Sequence, residues 1–362
     1  MKTLFRLLLK TQHPRNRSGL AQTDKGMTLV ELLVGSIMAF LIITPMIGFV
    51  VDMLNTDRRE QVKSNTEQDI QAALDFIAQD LSQAIYIYDN AGITAITTPT
   101  TQLPSPANGT PILVFWKRQQ IKNAVPLRAL LNPSECLVPG TTGGTTGTIE
   151  CNDTYVISLV AYYQIKEIAS NSIWCQPSGG NCPRRIERYE IKDGVKNPYA
   201  TNVGAPDFGY YSPSQLGPRT SLQKDTAFNK DFDFSAPTIN VKVPNTDWPS
   251  SQVLVNYIDH SPKELDVAEC QKALGTPKTQ IGLGTPTDVP EDTLKVTDYP
   301  PSSPTTNSFY ACVDTARNIA RVTIRGNSLR RIQPNYADYA AEKSAYFPTA
   351  SVQVQGLGAR GK

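Results

Sequence analysis

Residues 25–35 read KGMTLVELLVG, and the fold follows from what this stretch is. It opens an apolar run, LLVGSIMAFLIITPMIGFVV (32–51), that carries no charge between Glu31 and Asp52. As a helix rising about 1.5 Å per residue, the run covers roughly 30 Å, the thickness of a bilayer's hydrocarbon core. A buried helix of a soluble protein is the competing reading, but the run is too long and too evenly apolar for it. Glu31 is the anomaly. An ionised carboxylate at the edge of hydrocarbon is costly unless it is paired, protonated or drawn out to the headgroups, so its presence is a functional hypothesis by default.

Working outward from this run, residues 1–26 hold six bases (Lys2, Arg6, Lys10, Arg15, Arg17, Lys25) against Asp24. The formal charge of +2 over 362 residues therefore hides a basic leader and a mildly acidic body. By the positive-inside rule the leader is cytoplasmic and everything after Asp52 is exported. A secretory signal peptide would be cut after its apolar segment, at small residues. DMLNTDRREQ (52–61) offers no such site, whereas Gly26 beside Lys25 precedes the run. Cleavage there would remove the leader, keep the membrane helix and create an amine at Met27 in the same layer as Glu31. When such helices pack side by side, the Glu31 of one can neutralise the amine of its neighbour.

Lys25-Gly26 followed by Met27-Thr28-Leu29-Val30-Glu31-Leu32-Leu33-Val34 resembles the type III signal of type IV pilins and type II secretion pseudopilins. The resemblance implies that a prepilin peptidase cuts after Gly26 and methylates Met27, and that Glu31 is the assembly glutamate. Met27 stands where most relatives have Phe. LDFIAQDLSQAIY (74–86) is similar to the "aRDLRqA" pattern of J-type minor pseudopilins and W-type minor pilins, with Asp80, Leu81, Gln83 and Ala84 in the matching places and Ser82 where Arg is common. The long Thr/Pro/Gly-rich body, the cysteine set and the ending YFPTASVQVQGLGARGK (346–362) resemble cyanobacterial pseudopilins of hormogonium polysaccharide secretion. That implies polysaccharide export coupled to gliding. Tip subunits of type II systems typically lack the glutamate, so Glu31 implies a place just below the tip.

Beyond Asp52, apolar residues recur at Val62, Ile70, Leu74, Ile77, Leu81 and Ile85, mostly three or four apart, on one helical face. Glu67, Asp69, Asp75 and Asp80 are assigned to the other sides. The spacing predicts one helix from about Met27 to Tyr88, its membrane part (27–54) followed by an amphipathic continuation (55–90). Pro45 and Gly48 are candidate break points in its apolar half, since proline removes an intrahelical hydrogen bond.

Downstream the period changes. PILVFWK (111–117), TYVISLVAYYQI (154–165), IERYEI (186–191), TINVKV (238–243), QVLVNYI (252–258), NSFYACV (307–313), IARVTIR (319–325) and ASVQVQG (350–356) are β-branched and aromatic runs separated by Pro, Gly, Thr and Ser tracts. A helix followed by many short strands predicts an α+β, pilin-like fold, with an antiparallel sheet domain (91–362) covering the helix's second half.

All six cysteines, Cys136, Cys151, Cys175, Cys182, Cys270 and Cys312, fall in the exported part. An even number there implies disulfides, with fifteen possible pairings. The sequential set is preferred, two of its members clamping Gly-rich loops. A zinc site is the weaker reading, because no C-x-x-C occurs and only His13 and His260 are present. With one histidine after the leader and no nucleophile elbow, P-loop or dinucleotide fingerprint, no catalytic constellation and no cofactor is expected. Arg321 and Arg325 alternate with Val322 and Ile324, with Arg330 and Arg331 nearby, so a strand displaying arginines could meet an anionic polymer such as exported polysaccharide. A solvated strand face is the plainer reading, and the acidic body argues against nucleic acid.

The expectation is thus a non-enzymatic minor pseudopilin anchored in the inner membrane by a single pass, its body periplasmic or extracellular. Expected partners are other pilins through the N-terminal helix, the prepilin peptidase and the inner-membrane assembly platform. The alternatives are a type IV minor pilin for adhesion or DNA uptake, and a membrane-tethered carbohydrate-binding or hydrolytic protein.

Overall fold

The computed structural model describes residues 28–98, 101–129, 131–136, 151–201, 209–279, 285–298 and 305–360. A 54-residue helix, α1 (Leu29–Ser82), opens it. The chain divides into two compact units, one ending at Asp57 and the other beginning at Arg58. In the first, every described residue is exposed, including Leu29, Phe40, Ile43 and Phe49. It supplies the one helix among the described residues that is long and apolar enough to cross a membrane, with mean hydropathy 2.3 over its best window. Helix α1 runs through Pro45 and Gly48, the candidate break points. Proline deletes a single donor from the ladder, and Thr44 Oγ1 adds a local bond to Phe40 O (2.8 Å).

In the second unit α1 buries Thr66, Ile70, Ala73, Leu74, Ile77, Asp80 and Leu81. Spacings of three and four place them on one stripe. Ile70, Leu74, Ile77 and Leu81 are each at most 1% exposed, and such burial is worth roughly 1.5–3 kcal/mol per side chain. The stripe passes so close to Gly326 that a Cβ there would meet Ile70 Cδ1 at 2.5 Å and Thr66 Cγ2 at 2.7 Å. Helix α1 stops at Ser82 rather than near Tyr88. AIYI becomes strand β1 (Ala84–Ile87), pairing antiparallel with β2 (Gly109–Pro126) through Ala84 with Lys117 and Ile87 with Phe115. Its alternating β-branched and aromatic residues gain more from the ladder than from another helical turn.

After α2 (Asn90–Thr97), capped by the Asp89 side chain on Gly92 N–H, the strands form two antiparallel sheets rather than one. The first has the order β1-β2-β3-β4-β5, with β3 (Cys151–Lys166), β4 (Arg184–Lys192) and β5 (Gln252–Ile258). The second has the order β6-β7-β8-β9, with β6 (Lys295–Val296), β7 (Phe309–Asp314), β8 (Ile319–Arg325) and β9 (Thr349–Gln355). One apolar core joins the helix stripe to Phe115, Leu159 and Ile186 of the first sheet and Phe309, Val322 and Ile324 of the second. This is the pilin-like α+β arrangement, a long N-terminal helix packed on antiparallel sheet.

TINVKV is not a strand. Only Lys242 makes an isolated bridge, to Phe228, and Asn240 has a φ of 50°. Pro237 and Pro244 bracket the run and remove ladder donors, while Asn240 O is taken by Asn229 Nδ2 at 2.6 Å. The disulfides join Cys136 to Cys151, Cys175 to Cys182 and Cys270 to Cys312, the sequential set.

Candidate functional site

The first candidate is the N-terminal end of α1. Gly26 and Met27 lie outside the described residues; Glu31 is inside them. Its Oε2 accepts hydrogen bonds from the Thr28 N–H and the Thr28 hydroxyl, both at 3.1 Å, and Thr28 Oγ1 accepts from the Glu31 N–H at 3.3 Å. This is a capping box, T-x-x-E, in which hydroxyl and carboxylate reciprocally satisfy amides that a helix start leaves unpaired. The spacing is visible in TLVE (28–31), so the sequence carries a signal that the assembly reading of Glu31 passes over. A carboxylate there also meets the positive end of the helix dipole. One side chain is thus held in place by its own helix while lying in the first turn of an exposed apolar segment.

The second candidate is where α1 docks on the first sheet. Asp80, expected on a solvated side, is 7% exposed. Its Oδ1 receives Lys117 Nζ at 2.9 Å, and its Oδ2 receives Arg188 Nε at 2.8 Å and the Tyr162 hydroxyl at 2.7 Å. Glu190 closes the network, lying 3.2 Å from Lys117 and 2.8 Å from Arg188. Strands β2, β3 and β4 therefore each send a donor to one helical carboxylate. Burial raises the Asp80 pKa, but Lys117 and Arg188 outweigh it and hold the carboxyl below its ordinary value; Glu190 is lowered for the same reasons. The same burial, with Asp80 beside it, pushes the Tyr162 phenol up. The network fixes the rotation and height of the helix on the sheet, because a slip of one residue would bury all these charges unpaired.

The arginine row does not exist as a surface. Arg325 is 3% exposed and bonded to Asp259 Oδ2 (2.8 Å), Ser261 O and Thr306 O (both 3.0 Å). Arg330 is fully buried, and Arg331 pairs with Asp69 of α1 and stacks over Tyr257 at 4.6 Å. Arg321, bonded to Ser351 Oγ at 3.2 Å, and the paired Arg331 are the two that stay half-buried. Alternation along β8 correctly buries Val322 and Ile324, but it assumes a wet second face. The 259–261 segment covers that face at Arg325.

His260 has a side chain 10% exposed, with Nε2 3.0 Å from Asp338 Oδ1 and Nδ1 buried without a partner. It lines a cavity of about 340 Å³ together with Lys166, Glu167, Cys182, Arg184 and Asp338. Comparison with family models, with curated proteins and with solved structures finds no match for this chain.

Proposed function

We propose that the chain is a minor pseudopilin, a structural subunit that assembles into a type II secretion or type IV pilus-like filament. Prepilin peptidase removes residues 1–26, the mature subunit works at or near the filament tip, and the filament serves export, with polysaccharide as the proposed cargo. The single observation that carries the reading is α1 itself. Its first half is apolar and wholly exposed, carries one carboxylate at its start, and continues without interruption into a half that is buried against antiparallel sheet. An exposed apolar helix of this length needs lipid or other helices as its surroundings. Glu31 in its first turn supplies a charge that a neighbouring subunit's terminal amine can satisfy.

A plain membrane tether is the second reading, favoured by the capping box, which gives Glu31 a local task. The two differ in what Thr28 and Glu31 do when changed separately. Under the tether reading, Thr28→Ala and Glu31→Ala each cost about 1 kcal/mol of helix-start stability and neither alters partners. Under assembly, Glu31→Ala inserts normally in the membrane but disappears from sheared filament fractions, whereas Thr28→Ala is retained. Equal retention of the two variants would sink the assembly reading.

A further inference from the structure

The Cys175–Cys182 disulfide sits in an environment unlike that of Cys270–Cys312. Both sulfurs of Cys270–Cys312 belong to residues at most 1% exposed, and the Glu291 carboxylate bonds the Cys270 and Gln271 N–H groups at 2.8 and 2.9 Å. An attacking thiolate cannot reach that bond. At Cys175–Cys182 the situation is reversed. Cys175 is fully buried, and the Arg330 guanidinium lies against it, Nη2 to Sγ 3.3 Å.

Arg330 is itself fully buried, and no carboxylate pairs with it among the described residues. Its Nε donates to Asn181 O at 2.7 Å and its Nη2 to Gly179 O at 2.8 Å, while Nη1 has no partner. A buried cation without a carboxylate partner is costly, and the Cys175 sulfur, which becomes an anion when the disulfide opens, lies 3.3 Å from it. The loop between the two cysteines is held around the guanidinium by Gly180. This residue has a φ of 63° and approaches so closely that a Cβ would meet Pro334 O at 1.8 Å. Cys182, in contrast, is half-buried and lines the 340 Å³ cavity. The carboxylates there are already engaged, Glu167 with Arg185 at 3.0 Å and Asp338 with His260 at 3.0 Å.

We propose that Cys175–Cys182 is a thiol–disulfide exchange site, with Cys182 the sulfur attacked through the cavity and Cys175 the leaving thiolate received by Arg330. The reductant is a dithiol, of a protein or a small molecule. Its thiolate bonds to Cys182 Sγ, the Cys175–Cys182 bond breaks, and the electron pair goes to Cys175 Sγ. The dithiol's second sulfur, losing its proton, then attacks the first. This forms the dithiol's own disulfide and releases Cys182, which takes up a proton. Two electrons pass from the dithiol to the cysteine pair, and the remaining proton goes to solvent. A leaving thiolate stabilised by a cation departs faster and makes the disulfide easier to reduce.

The test uses the full chain in detergent, equilibrated with graded ratios of reduced to oxidised glutathione, acid-quenched, alkylated and read peptide by peptide by mass spectrometry. Cys175–Cys182 should open at ratios where Cys136–Cys151 and Cys270–Cys312 stay closed. Arg330→Met, compared only if its circular dichroism matches the parent, should need a ratio about tenfold more reducing, and Arg330→Lys, which keeps the charge, should restore most of the difference. In a Cys182→Ser chain, the ultraviolet thiolate absorbance of Cys175 should titrate at least about one unit below the ordinary thiol value of about 8.5. Opening of either other disulfide first, or a Cys175 midpoint at or above about 8.5, would overturn the proposal, and these two readings decide it even if the arginine variants do not fold.

Discussion

Replacing Asp80 with Asn keeps the side chain's size and removes its charge, leaving the buried cations Lys117 and Arg188 with Glu190 as their one remaining carboxylate among the described residues. The three hydrogen bonds that the change breaks or weakens are 2.7–2.9 Å long and come from three different strands. Breaking a buried ion pair from one side costs about 3–5 kcal/mol, because it strands the partner's charge. Glu190, at 3.2 Å from Lys117 and 2.8 Å from Arg188, compensates partly and places the expected loss at the lower end, about 3 kcal/mol. For a domain this large, each kcal/mol moves the melting temperature by about 2 °C, so Asp80→Asn should melt about 6 °C below the parent. Urea unfolding in detergent, followed by tryptophan fluorescence, should show a lower midpoint with an unchanged slope. The control is Asp75→Asn, exposed on the same helix with its side chain bonded to Gln71 one turn before, which should stay within about 0.5 kcal/mol. In a double-mutant cycle, adding Lys117→Met to Asp80→Asn should cost less than the two single changes together, because the second change removes a charge the first left stranded. A loss below about 1 kcal/mol for Asp80→Asn, or strict additivity in the cycle, would rule out this network as what holds the helix on the sheet.

The same charges set further outcomes. Asp80 and Glu190 both titrate below their ordinary values of 3.8 and 4.5. The unfolded chain therefore binds protons first as pH falls, so their stabilisation is complete above about pH 5 and is lost progressively as pH drops through and below 4; acid unfolding midpoints should move up in Asp80→Asn. Arg325→Met removes the ion-pair partner of the buried Asp259, leaving it the Ser261 N–H and Asn327 Nδ2, and should cost about 3 kcal/mol by thermal melting, whereas Arg321→Met should cost less than about 0.5 kcal/mol. If an anionic polysaccharide is retained on a column of the parent protein, Arg325→Met should not release it while the fold survives, since that side chain does not reach the surface.

The long helix and seven of the eight strand runs are legible in the sequence because periodicity reports burial directly: three-and-four spacing for α1, alternation and β-branching for the strands. What periodicity hides is the second layer. Asp80 lies on the helical stripe of Ala73 and Ile77, and its position on the helical wheel, rather than its charge, is the signal for burial. Arg325 is misplaced by sequence reasoning because alternation along one strand says nothing of a loop that covers its other face. TINVKV looks like a strand until its flanking prolines and Asn240 are weighed, and AIYI loses its helical reading to a neighbour strand that lies about thirty residues further along the chain. The capping role of Glu31 stands in plain view in TLVE, behind the stronger question of why a carboxylate should enter an apolar run.

Whether α1 is delivered to the membrane for assembly turns on the mature N-terminus. The protein, purified from cells that contain a prepilin peptidase, is measured by intact-mass and N-terminal peptide mass spectrometry. A subunit made for assembly begins at Met27 with a methylated amine. A chain that retains residues 1–26, or one cut after Val51, is incompatible with that role.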